Sequence, residues 1–220
     1  MNVVVFDFDG VIIPSEGIKQ HAYEWIFSEF GEAVPHEAIR QSREEFSNAR
    51  GNRYDIIRGI FRRLGETNIE EKVREYSERF STIVKQRIND LSVEPKVLGM
   101  LEKLSKKHSL YINSNNPDEP LRETLEALGI ARFFKGVYGS SASKTENLRT
   151  IATQEQAAAR DIVFIGDGDG DRFAAREYGC VFVGVATELN GWKDGTMEFK
   201  IIQSVAEFDR TADRGGERMV

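Results

Sequence analysis

One cysteine, Cys180, stands in the 220 residues, so no disulfide can form within the chain. Its place in the apolar run Cys180-Val181-Phe182-Val183 reads as a buried core thiol, with no environment around it that favours a nucleophile. Positive charge is not in excess: 30 Lys and Arg face 36 Asp and Glu, a formal net charge of −6. Such a chain has no basic footprint for nucleic acid or for an anionic membrane surface, and small soluble partners are expected instead. No apolar stretch approaches membrane-spanning length, and Met1 runs straight into a strand-like segment with no room for a targeting peptide, so a cytoplasmic protein is expected. There is no internal repeat. The 40% hydrophobic content is enough for a sizeable core.

Strand-like runs fall at 3–6, 109–113, 162–166 and 180–185, with weaker ones near 136–138 and 199–202. Helical patterns separate most of them. Pro95 precedes Val97, Leu98, Leu101 and Leu104 at helical spacing, and the stripe Leu121, Leu125, Leu128 closes on Gly129, where a left-handed cap suits. Strands alternating with helices predict an α/β fold with a doubly wound, mainly parallel sheet. Residues 14–90 break the alternation with helical stripes alone: Ile18, Ala22, Ile26 and Phe30, then Ile56, Ile57, Ile60 and Leu64, then Ile69, Val73, Tyr76, Phe80 and Ile83. An inserted all-helical domain is therefore expected over 14–90, a catalytic core over 1–13 and 91–209, and a disordered tail over 210–220, which lacks any apolar period.

The first strand, Val3-Val4-Val5-Phe6, leads into Asp7-Phe8-Asp9-Gly10. In an extended strand both carboxylates would share one face, and at the strand's carboxyl end they would point into one crevice outside the sheet. A buried like-charged pair is unfavourable unless a proton or a cation intervenes, so a divalent metal is the natural third member. A second acidic cluster, Gly166-Asp167-Gly168-Asp169-Gly170-Asp171, follows the strand Ile162-Val163-Phe164-Ile165 and precedes a helix. Its carboxylates are the hard oxygen ligands magnesium prefers, although the same residues also make an ordinary solvated turn. A calcium loop is excluded, since neither a preceding helix nor a glutamate at the twelfth position is present.

Two further segments could bind an anion. Leu110-Tyr111-Ile112-Asn113 opens into Ser114-Asn115-Asn116-Pro117, where a hydroxyl and backbone N–H groups at a strand end can hold phosphate oxygens, or simply cap a helix. Lys144, in Ser143-Lys144-Thr145 ahead of an amphipathic segment with Leu148, Ile151 and Ala152, neutralises a phosphate or faces water.

The order of these four motifs along nearly the whole chain resembles the haloacid dehalogenase-like (HAD) superfamily. Asp7-Phe8-Asp9-Gly10-Val11 is similar to its first motif, Ser114-Asn115 to its second, Lys144 to its third and Gly166-Asp167 through Asp171 to its fourth. The helical insert is similar to the cap of the phosphoglycolate phosphatase and β-phosphoglucomutase branch. Three features depart from that branch: threonine after Lys144 in place of the frequent proline, asparagines on both sides of Ser114, and the additional Asp169. The resemblance implies a Rossmannoid core and a magnesium-dependent phosphatase acting on a small phosphorylated metabolite, as a monomer or homodimer. It implies Asp7 as nucleophile and Asp9 as general acid and base. Magnesium would be held by Asp7, Asp9 through its backbone carbonyl, Asp167 and Asp171, and the phosphate by Ser114, Asn115 and Lys144. Dehalogenases of the superfamily have no leaving alkoxide to protonate and lack the second aspartate, so Asp9 favours a phosphatase or a phosphomutase. A catalytically silent binding protein is the remaining alternative. Within the insert Lys19, His21, Arg50 and Arg53 are candidate specificity residues, with Arg50-Gly51-Asn52-Arg53 either a loop reaching the site or a solvated basic turn.

Overall fold

The computed structural model describes residues 2–208 except 32, 49–51, 189, 194 and 196, so Arg50 and the tail expected over 210–220 lie outside the described residues. The described residues divide into two compact units, one within Met1–Pro14 and Leu91–Val220, the other within Ser15–Asp90.

In the first unit six strands form one sheet: β1 (Val3–Phe6), β2 (Ser109–Asn113), β3 (Gly136–Tyr138), β4 (Ile162–Gly166), β5 (Val181–Val185) and β6 (Lys200–Ile202). Their order is β3-β2-β1-β4-β5-β6, and every neighbouring pair is parallel. Strands buried on both faces need continuous apolar runs, and β1 and β4 have them: each of their residues is buried. Val3 registers against Ser109 on one side and Ile162 on the other, and Phe6 against Ile112 and Ile165. Alternation sends Val3, Val5, Tyr111, Ile162 and Phe164 into one core with Leu148, Ile151, Ala174 and Ala175. Those last four belong to α7 (Lys144–Glu155) and α8 (Asp169–Tyr178). The other face of the sheet carries Val4, Phe6, Leu110, Ile112, Val163 and Ile165, all buried. Helix α5 (Pro95–Ser105) precedes β2, and α6 (Asp118–Ala127) links β2 to β3. Pro95 opens α5, and Gly129, at φ +68°, follows the end of α6 in the left-handed conformation. Cys180 is half-buried, not sunk in the core, because β5 begins one residue later at an exposed Val181. Burial still pushes its thiol up to about 12.

The second unit is helical: α1 (Glu16–Phe27), α2 (Ala33–Asn48), α3 (Arg53–Arg63) and α4 (Glu70–Asn89). Its core is aromatic, with the Phe27 ring 5.1 Å from Phe61 and 5.0 Å from Tyr76, and Tyr23 4.6 Å from Phe80. Phe30 falls outside α1, in a 3₁₀ turn spanning Ser28–Phe30. Helix α2 has no counterpart among the apolar stripes read from sequence. It offers Ala38 and Ile39 to the core, and its exposed face carries charge, with Arg40 bridging Glu37 at 2.5 Å and Glu44 at 2.9 Å. Such i,i+3 and i,i+4 pairs support a helix that a hydrophobic pattern does not reveal.

Candidate active site

Because all six strands are parallel, their carboxyl ends lie along one edge of the sheet. β1 sits between β2 and β4, so the chain winds away from it in both directions, and a crevice opens where the winding reverses. Asp7 leaves β1 there, Ser114 leaves β2 and Asp167 leaves β4. The N–H of Asp7 donates to the Ile165 carbonyl at 2.8 Å, which carries the β1–β4 ladder one residue further. The extended geometry expected through Asp9 does not hold. β1 ends at Phe6, and the chain turns: Gly10 takes φ +72°, its N–H donates to Ile13 O at 2.8 Å, and Ile12 N–H donates to Phe8 O at 2.9 Å. The turn buries Phe8, so the direction of Asp9 comes from the turn rather than from strand alternation.

Asp7, Asp167 and Asp171 converge, with one carboxylate oxygen from each inside a 4.8 Å span. All three are buried, at 8%, 5% and 2% exposure, and so is Lys144 at 8%. Lys144 Nζ lies 3.0 Å from Asp7 Oδ2 and 2.5 Å from Asp171 Oδ1. The second oxygen of Asp171 accepts from the Gly168 N–H at 3.0 Å, which fixes the carboxylate at the first turn of α8. Two glycines make room for this density of acids. A Cβ on Gly10 would lie 2.1 Å from Asp167 Oδ2, and one on Gly166 would lie 2.4 Å from Asp171 Cβ.

Lys144 sets one ammonium against Asp7 and Asp171 in this cluster. Burial, followed by the charge of Asp171, raises the Asp7 carboxyl to about 7, against the pull of Lys144. Burial works against the charge of Lys144 as well, but Asp171 and Asp7 outweigh it and hold its pKa above the usual lysine range. A buried set of hard carboxylate oxygens, in which the charge of Asp171 helps to raise Asp7, suits a small divalent cation such as magnesium, which prefers oxygen ligands. Asp169, by contrast, is exposed and only 3.8 Å from Arg172.

Asp9 connects to the loop after β2. Asn116 donates its Nδ2 to Asp9 Oδ2 at 2.7 Å, and its backbone N–H donates to Ser114 Oγ at 3.2 Å. Ser114 is buried and Asn115 exposed, so of the two adjacent asparagines it is Asn116 that meets the acidic turn. Reading the sequence missed Asn116, since nothing in Asn115-Asn116 tells which side chain faces inward. A buried amide chain was missed as well, because its partners lie on separate elements far apart in sequence. Asn113 Nδ2 donates to the Lys144 carbonyl at 2.9 Å, and Asn147 Nδ2 donates to Asn113 Oδ1 at 2.9 Å and to Gly139 O at 3.0 Å. These bonds pin the start of α7, and with it Lys144.

The candidate specificity residues lie in the helical unit. His21 is exposed, contacts Gly17 O through Nδ1 at 2.6 Å and stacks on Trp25 at 5.9 Å. Arg53 donates to Ser81 Oγ and sits 5.1 Å over the Phe80 ring, so it ties α3 to α4. Lys19 is half-buried in α1.

The sequence profile described as haloacid dehalogenase-like hydrolase matches residues 4–185. The chain belongs to that family of enzymes. The chain is 27% identical over 203 residues to a phosphoglycolate phosphatase of Vibrio parahaemolyticus, covering 86% of each chain. It is 28% identical over 192 residues to a 5′-nucleotidase of Pseudomonas aeruginosa, covering 83% of this chain and 81% of that one. Among solved structures, a haloacid dehalogenase-like family hydrolase from Streptococcus pneumoniae superposes with TM-score 0.70 at 20% identity, over 96% of this chain and 98% of the other. The L-2-haloacid dehalogenase of Xanthobacter autotrophicus superposes with TM-score 0.67 at 16% identity, over 99% and 100%. Among the described residues no helix is long and apolar enough to cross a membrane.

Proposed function

We propose that this chain hydrolyses a small phosphate monoester through a phosphorylated Asp7, with magnesium bound by Asp7, Asp167, Asp171 and the backbone carbonyl of Asp9. The observation that carries this reading is the buried cluster of three carboxylates around Lys144. The fold by itself does not choose the reaction, since a haloacid dehalogenase shares it. The choice rests on Asp9, a second acid beside the nucleophile, and the relatives named phosphatase and nucleotidase support it.

An oxygen of Asp7 attacks phosphorus as the bond to the leaving oxygen breaks, and the bonding pair stays on that oxygen. Asp9 delivers a proton to it and later takes one from the water that cleaves the aspartyl phosphate, so one residue serves both steps. Ser114 through its hydroxyl, Asn115 through its backbone N–H and Lys144 through its ammonium hold the phosphate oxygens, and Lys144, tied to Asp7 and Asp171, holds its charge where the dianion arrives. Magnesium, when bound, offsets the repulsion between an anionic substrate and the carboxylates. The helical unit over 15–90 serves as the cap that selects the leaving group, with Lys19, His21, Arg50 and Arg53 as the residues to vary first.

The test is a screen of the purified enzyme against phosphate monoesters, p-nitrophenyl phosphate included, with magnesium and with chelator. Release of inorganic phosphate that stops in chelator is expected. Following a sugar phosphate by phosphorus NMR tests the competing mutase reaction: isomer accumulating well ahead of free phosphate would overturn the phosphatase reading.

A further inference from the structure

The loop after β2 does more than end a strand. Asn116 is anchored at both backbone groups: its N–H donates to Ser114 Oγ at 3.2 Å, and its carbonyl accepts from the Ser140 N–H at 2.9 Å. The second anchor needs close approach of the loop after β3, for a Cβ on Gly139 would lie 2.5 Å from the Asn116 carbonyl oxygen. With its backbone fixed, the half-buried side chain reaches Asp9 Oδ2 at 2.7 Å across 107 residues of sequence. Asp9 itself sits in a turn held by backbone bonds from Gly10 to Ile13 and from Ile12 to Phe8, which position its main chain.

We propose that Asn116 is a positioning residue for Asp9, orienting the carboxyl that exchanges a proton with the leaving group. The proposal rests on the reading of Asp9 as general acid. The amide NH₂ group only donates, so the oxygen it holds acts as an acceptor and the other oxygen, Oδ1, is the one that carries the proton outward. That proton passes to the leaving oxygen as its bond to phosphorus breaks and the Asp7 oxygen–phosphorus bond forms. Misplacement of a reacting group by about 1 Å costs on the order of 10²-fold in rate, so a bond that fixes one carboxylate oxygen bears directly on the rate.

Leaving-group dependence separates this role from a structural one. An acid helps a poor leaving group, such as phenolate from phenyl phosphate, far more than p-nitrophenolate, which departs without a proton. Asn116→Leu, of similar size but without the donor, is expected to lower kcat/KM for phenyl phosphate by about 10²-fold and for p-nitrophenyl phosphate only a few-fold. Asp9→Asn serves as the reference and is expected to show the same selective loss, and adding Asn116→Leu to it should cost little more. Equal losses on both esters in Asn116→Leu beside a selective loss in Asp9→Asn would overturn the role of Asn116 alone. Equal losses in Asp9→Asn would overturn the acid role of Asp9 and this proposal with it. Asn116→Ala, which leaves room for water, replaces Asn116→Leu if the latter does not fold.

Discussion

At the scale of single residues the proposed chemistry turns on Asp7, whose Oδ1 accepts from the Phe8 N–H at 2.7 Å while Oδ2 faces Lys144 at 3.0 Å. Asparagine reproduces the first contact through its own oxygen but cannot form an acyl phosphate. Asp7→Asn is therefore expected to fold, as judged by circular dichroism, and to lose activity by roughly 10⁴-fold or more. The raised Asp7 carboxyl has a second consequence. Its ordinary value is 3.8, and in the fold it stands at about 7, so between those limits the folded chain binds more protons than the unfolded one. The group therefore favours folding at the acid end of that window, and its contribution falls as pH rises through it. A bound cation favours the ionised carboxylate and competes with the proton. Magnesium is accordingly expected to raise the melting temperature more at about pH 8 than at about pH 5, read by calorimetry on protein first stripped with chelator. Equal shifts at the two pH values would contradict a metal held by Asp7.

At the scale of elements, the helix ends determine where the charges stand. Lys144 is the first residue of α7, and Ser143 caps that helix: its Oγ accepts from the Glu146 N–H at 3.2 Å while Glu146 reaches back to the Ser143 N–H at 2.9 Å. The reciprocal pair satisfies two backbone donors that the helix leaves open. Ser143→Ala is expected to lower stability by about 1 kcal/mol in urea unfolding, and Ser143→Gly by only a few tenths. α8 starts similarly, with Asp171 accepting from Gly168 N–H at 3.0 Å, so this carboxylate serves the helix end and the acidic cluster together. Elements with strong patterns were legible: the apolar β1, β2, β4 and β5, the Pro95 start of α5 and the Gly129 turn all lie where the sequence placed them, within a residue. α2 was not, because charge pairs rather than an apolar stripe support it.

At the scale of the molecule, each compact unit carries its own core. The helical unit depends on rings that meet edge to face, Phe61 lying 5.1 Å from Phe27 and 4.9 Å from Tyr76 at zero exposure. Phe61→Ala is expected to cost about 3–5 kcal/mol, measured by denaturant unfolding, and a loss below about 1 kcal/mol would contradict this packing.

The local code of this chain is short-ranged, and so is what it determined alone. Apolar runs bounded by turn residues specified the strands, stripes at helical spacing specified most helices, and two acidic clusters at strand ends marked where charge would gather. Strand order is a different kind of fact. Placing β1 between β2 and β4 depends on which apolar faces find each other, and no local pattern encodes it. That order brings Asp7 to Asp167, Asp171 and Lys144 from well over a hundred residues away. The turn at Gly10 is equally tertiary in its effect. It takes Asp9 out of register with Asp7 and within reach of Asn116, a residue whose sequence neighbour Asn115 is chemically identical and exposed. Which of two like side chains points inward is decided by the backbone bonds to Ser114 and Ser140, and those exist only once β1, β2 and β3 lie side by side.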